Sequence, residues 1–196
     1  MQKMPLSTLS AICLAVVFCT FLAVSTVYYP KPWSPVTTFL SDFGNIARSP
    51  SGALIYNMGC IMTAVAAVAF YIGLGELEAG PLFGLGRMLG LASGVSLALI
   101  GVFSEDFPPQ HRFWSYAFFT INFFAILLTN ISLMRVKGYG KPTMLVGFGI
   151  SAVTLLSFIL WGGAPAVEWF TVFASITFAL LLGYDIYRIG PRVKTD

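Results

Sequence analysis

The chain has 196 residues, of which 57% are hydrophobic and only 10% charged, with a formal net charge of +3. A soluble domain carries roughly a quarter charged residues, so this composition, with a mean hydropathy of +0.83, excludes an ordinary water-soluble fold. The small positive excess is too weak to argue for nucleic acid, and no nucleic-acid partner is expected.

In chain order, the sequence predicts an all-α, polytopic membrane bundle: one domain over 1–196 with six transmembrane helices at 6–28, 53–74, 82–103, 113–134, 144–161 and 167–187. Each run is close to the ~20 residues needed to cross ~30 Å of hydrocarbon. They are continuously apolar rather than alternating, which favours helices over barrel strands. The first run follows Lys3 and ends near Ala23-Val24-Ser25, a pattern similar to a signal peptide. Its length favours a retained first helix. Cys13, Cys19 and Cys60 all fall inside apolar runs, where they read as small packing residues.

The basic residues give the predicted orientation. Lys3, Arg87, Arg135, Lys137, Lys141, Arg188, Arg192 and Lys194 fall on one side, and Lys31, Arg48 and Arg112 on the other. By the positive-inside rule, both termini are predicted to be cytoplasmic, with the protein in the cell membrane. The connections on the opposite side are longer and more acidic. The first, 30–52, contains Pro30, Pro32, Pro35 and Pro50, and the segment 40–44 reads Leu-Ser-Asp-Phe-Gly. Asp42 followed by Gly44 suits a turn.

Along the third helix, Gly86, Gly90, Gly94 and Ala98 recur every four residues and share one face. Small residues at this spacing let helix backbones approach closely, so this face is a candidate seam for a helix of this chain or of another. The stretch 104–112 reads Ser-Glu-Asp-Phe-Pro-Pro-Gln-His-Arg and holds the only histidine. The double proline ends the third helix, and His111 stands at the start of the fourth. A histidine with carboxylate neighbours suits a general base, a ligand or a plain helix-start residue. Asn57 and Asn122 lie within apolar runs and need partners there, and Asp185 is placed to pair with Arg188 one turn on.

Hydrolase, metalloprotease and nucleotide-binding motifs are absent from the sequence. No cofactor and no metal is expected. The candidate ligand-binding set is Asp42, Asn57, Asp106, His111 and Arg112, with His111, Asp42 and Asp106 as candidate catalytic residues. Membrane lipids are the expected partners, bound or sensed in a pocket on the extracytoplasmic side. Two other readings remain open: an enzyme acting on a lipid-linked substrate with His111 as general base, or an accessory subunit docking through Gly86, Gly90 and Gly94.

The 40–44 motif, a proline-containing turn into Tyr56-Asn57, and the run from Phe103 to His111 with Ser115, Ala117, Phe118 and Phe119 beyond it, together resemble a prokaryotic six-helix membrane family, domain of unknown function nine-nine-eight. They are more distantly similar to the damage-regulated autophagy modulator-like superfamily. The resemblance implies a six-helix plan and marks Ser41, Asp42, Gly44, Asn57 and His111 as motif residues. It implies no catalytic role for any of them. Eukaryotic members of that superfamily are associated with lipid remodelling of anchored proteins, phosphoinositide regulation and autophagy.

Overall fold

Prolines set where the helices begin. In the computed structural model, which describes residues 3–160 and 163–190, α1 spans Leu6–Val27 directly after Pro5, and α2 spans Ala53–Gly73. Then α3 spans Gly80–Val102, α4 Pro108–Leu133, α5 Lys141–Leu160 and α6 Pro165–Ile189. Single 3-10 turns occupy Ser41–Gly44 and Leu74–Glu76. Pro81, Pro108, Pro109 and Pro165 sit in first turns, where the missing N–H costs nothing and the fixed φ suits a helix.

The apolar runs therefore understate four helices. α4 begins at 108 rather than 113, α5 at 141 rather than 144, and α3 and α6 begin at 80 and 165 rather than 82 and 167. The cause is the same each time: a proline-led first turn holds residues too polar or too small to extend an apolar run. His111 and Arg112 thereby lie inside the first turns of α4, not before it. Trp161, Arg192 and Lys194 lie outside the described residues.

Each helix packs on the next in sequence, and α6 returns to α1, so the six form a closed ring. From α2 onward, short links force antiparallel neighbours, while the long segment between α1 and α2 returns the chain across one end of the ring. Glycines set the closest approaches. A Cβ on Gly73 would lie 2.4 Å from the Ser7 backbone nitrogen, which brings the end of α2 against the start of α1. The small face of α3 is used within the chain: Gly90 lies over the Tyr71 ring and Gly94 against Val68 of α2, while Gly86 meets Thr129 of α4.

Two apolar clusters fill the ring, one at each end. Phe70, Phe83, Leu133, Phe178, Leu182 and Ile186 pack toward the end that carries the chain termini. Leu14, Phe18, Leu40, Phe43 and Tyr56 pack toward the other. Outside, the surface is also apolar, with Leu54, Val65, Leu85, Met88, Leu145 and Ile159 exposed. A bundle apolar both inside and out is solvated by lipid rather than water, and the chain is an integral membrane protein. α1, α2, α3, α4 and α6 have the length and apolarity of bilayer spans, whereas the apolar stretch within α5 covers Lys141–Ser157.

One polar knot closes the terminal end. Asn130, fully buried, donates to the Met144 carbonyl at 3.0 Å and accepts from the Tyr139 hydroxyl. Burial, and then the neighbouring Asp185 carboxylate, push the Tyr139 phenol above its ordinary range and keep it a donor. Asp185 turns inward, accepting the Gly140 N–H at 2.9 Å and the Thr143 hydroxyl at 2.5 Å, so that α6 caps the start of α5. Arg188, the expected partner of Asp185, lies over the Tyr184 ring instead.

Candidate functional site

The opposite end of the ring is roofed by the segment between α1 and α2. Its anchor is aromatic. Phe43, fully buried, meets Tyr29, Trp33 and Trp169, and Trp33 stacks on Trp169 at 5.5 Å. The Trp169 indole N–H donates to the Thr38 carbonyl at 2.8 Å. Beside it, Glu168 accepts the Leu40 N–H at 2.8 Å and a backbone hydrogen bond from Ser41. The first turn of α6 thus grips the amide end of the 41–44 turn, where a carboxylate is favoured.

Three of the sequence-derived candidates hold this roof in place. Asp42 accepts the Phe39 N–H at 3.0 Å and pairs with Arg48, which also reaches Glu105 at 3.3 Å. Asp106 accepts the Ile46 N–H at 3.0 Å and the Ser104 hydroxyl at 2.8 Å, joining the α3–α4 connection to the first loop. Asn57 donates to the Gly44 carbonyl at 2.9 Å. A Cβ on Gly44 would fall 2.4 Å from the Asn57 side-chain oxygen, so the glycine and the asparagine are parts of one contact. Asp42, Asn57 and Asp106 do not line either of the cavities described next.

The other two candidates, His111 and Arg112, do line a cavity. It has a volume of about 470 Å³ and lies between α4, α5 and α6 beneath the roof. Its wall mixes ionisable groups (Glu105, His111, Arg112, Glu168) with hydroxyls (Ser41, Ser115, Thr154, Ser157, Thr171) and aromatic rings (Phe39, Tyr116, Phe119). A second space of about 90 Å³ continues into the centre of the ring, walled mostly by apolar side chains from every helix except α5. Ser41, His111, Ser115, Phe119 and Glu168 border both. Near the second space, Asn122 donates to the Ser175 hydroxyl at 3.0 Å, joining α4 to α6.

His111 is buried, and its Nδ1 lies 2.9 Å from the Phe103 carbonyl oxygen. A carbonyl only accepts, so Nδ1 carries the proton, and in the neutral ring Nε2 holds the free lone pair. Arg112 is exposed. Thr154 is buried on the cavity wall with its hydroxyl unpartnered. Among the described residues no cluster of three or more His, Cys, Asp or Glu side chains is arranged to hold a metal ion.

The family of proteins of unknown function DUF998 matches residues 12–185, nearly the whole chain. The chain belongs to the DUF998 family. No curated protein and no solved structure matches it. In this DUF998 chain the site is broader than the motif residues alone. Glu168, Thr154 and Thr171 enter it from positions that carry no motif, and Ser115 from the stretch just beyond His111. A periodic signal for part of it is present in the sequence: His111, Ser115 and Phe119 are four apart, and Glu168, Thr171 and Ser175 are three and four apart. Each set falls on one helix face.

Proposed function

We propose that this protein is a six-span protein of the cell membrane, with cytoplasmic termini, that binds an amphipathic lipid at the extracytoplasmic end of its helix ring. The observation that carries this reading is the composition of the 470 Å³ cavity, which places charged and hydroxyl groups next to aromatic rings at one end of an apolar bundle. A volume of that order suits a small ligand or headgroup, and pockets that bind such ligands combine apolar walls with a few placed polar groups. Arg112, near the start of α4, meets a headgroup phosphate with a charge-assisted hydrogen bond, reinforced by the helix N-terminus. The rings of Tyr116 and Phe119 flank the first carbons of the tails.

Native mass spectrometry of the purified full chain tests the reading. Lipid is expected to survive gentle detergent removal, and added lipid to raise the unfolding temperature. Ser115→Trp, which fills the junction of the two spaces, is expected to abolish both effects while the protein stays monodisperse. A chain that retains no lipid and gains no stability from any headgroup class would end the proposal.

A further inference from the structure

A guanidinium, Arg112, and a carboxyl group, Glu168, share the larger cavity, and neither has an ion-pair partner among the described residues. Arg48 pairs with Asp42 and with Glu105, so the Glu105 carboxylate on the wall already has a cation. Arg112 has no ion pair, and the hydrogen bonds of Glu168 come from the Leu40 and Ser41 backbone. Those neutral donors orient the carboxyl group without supplying a countercharge. It also borders the apolar space at the centre of the ring, where an uncompensated charge is costly and a countercharge correspondingly favourable. Around both groups the wall supplies hydroxyls, including the buried, unpartnered Thr154 hydroxyl.

From this pairing we infer that the cavity selects a zwitterionic ligand carrying both a phosphate and a primary ammonium, as in a phosphoethanolamine lipid headgroup. The phosphate lies at Arg112, and the ammonium donates to Glu168. An anionic headgroup without an amine satisfies Arg112 but leaves Glu168 facing a hydroxyl or a second negative charge. Selectivity thus comes from Glu168, and phosphate affinity from Arg112. The inference rests on the lipid-binding reading and adds the headgroup class.

The experiment compares retention of dioleoyl phosphatidylethanolamine, dioleoyl phosphatidylglycerol and soluble O-phosphoethanolamine by the full chain, using native mass spectrometry. The ethanolamine lipid is expected to bind roughly ten-fold more tightly than the glycerol lipid, the size of effect one charge-assisted hydrogen bond provides. Glu168→Gln keeps an acceptor for the backbone amides and is expected to remove that preference while lipid is still retained. Arg112→Gln, at an exposed position, is expected to weaken both lipids together, and it keeps the test open if the Glu168 variant does not fold. Equal or stronger binding of the glycerol lipid, or an unchanged preference in a folded Glu168→Gln, would overturn the inference but not lipid binding. Binding of soluble O-phosphoethanolamine with neither lipid retained would keep the headgroup chemistry and overturn the lipid reading. No binding of any probe would overturn both.

Discussion

At the scale of single residues, the motifs at the roofed end of the ring divide into side chains that build the roof and side chains that face the cavity. Asp42 belongs to the first group. Its turn-forming character is visible in the sequence because Gly44 follows two residues later, but its partner Arg48 becomes apparent only when 39–48 folds back on itself. The carboxylate is buried and accepts a backbone N–H, whereas the Arg48 side chain is 50% exposed. Its two interactions should therefore differ in weight. Asp42→Ala is expected to cost about 1–2 kcal/mol, the range for losing a cap and leaving a buried amide unpaired. Arg48→Ala is expected to cost under ~1 kcal/mol, because a half-exposed ion pair is screened. Thermal unfolding of both variants in one detergent decides the order, and an Arg48 variant less stable than the Asp42 variant would contradict it. Glu168 escaped the candidate set for a related reason. It stands in a helix-start sequence that looks like an ordinary polar rim, and its significance comes from amides 128 and 127 residues away in the chain, at Leu40 and Ser41.

At the scale of the helices, apolar run length located all six elements, but the run ends were poor guides to the helix starts. Hydropathy registers the part of a helix that avoids water, whereas a helix begins where backbone geometry allows, here in proline-bearing first turns of small or polar residues. The glycine pattern of α3 was legible as a close-packing face, but not which helices it would meet. The structure makes that pattern specific enough to separate glycines by neighbour. Gly73→Ala places a methyl 2.4 Å from backbone, which cannot rotate aside, while the corresponding position at Gly84 has no atom within 4 Å. Gly73→Ala is accordingly expected to destabilise the fold by an amount typical of overpacking, about 1–3 kcal/mol, and so to lower the unfolding temperature. Gly84→Ala is expected to be neutral or to stabilise by under ~1 kcal/mol through the loss of glycine's conformational freedom. Equal effects of the two, read from the same melts, would mean that α2 does not press on α1 as described.

At the scale of the whole molecule, the arrangement turns on α5. Its apolar stretch among the described residues is shorter than those of the other five helices, and hydropathy alone leaves room for a five-span protein with its termini on opposite sides. Packing argues otherwise. α5 runs for 20 residues, about 30 Å at 1.5 Å per residue, which matches the hydrocarbon thickness. It lies between α4 and α6, and it contributes Thr154 and Ser157 to the cavity wall. The polar positions that weaken its hydropathy are in part those that face the site, so the helix least obvious in the sequence is one the cavity depends on. Labelling with a membrane-impermeant maleimide separates the two topologies. In a background with Cys13, Cys19 and Cys60 replaced by serine, single cysteines at exposed Lys31, at exposed Lys137 and at residue 195 report the first loop, the α4–α5 link and the C-terminal side. Intact cells are expected to label Lys31→Cys alone, and the other two only after permeabilisation. Labelling at 195 in intact cells, with Lys137→Cys still protected, would show that α5 does not cross, and it would also remove the wall on which Thr154 and Ser157 stand.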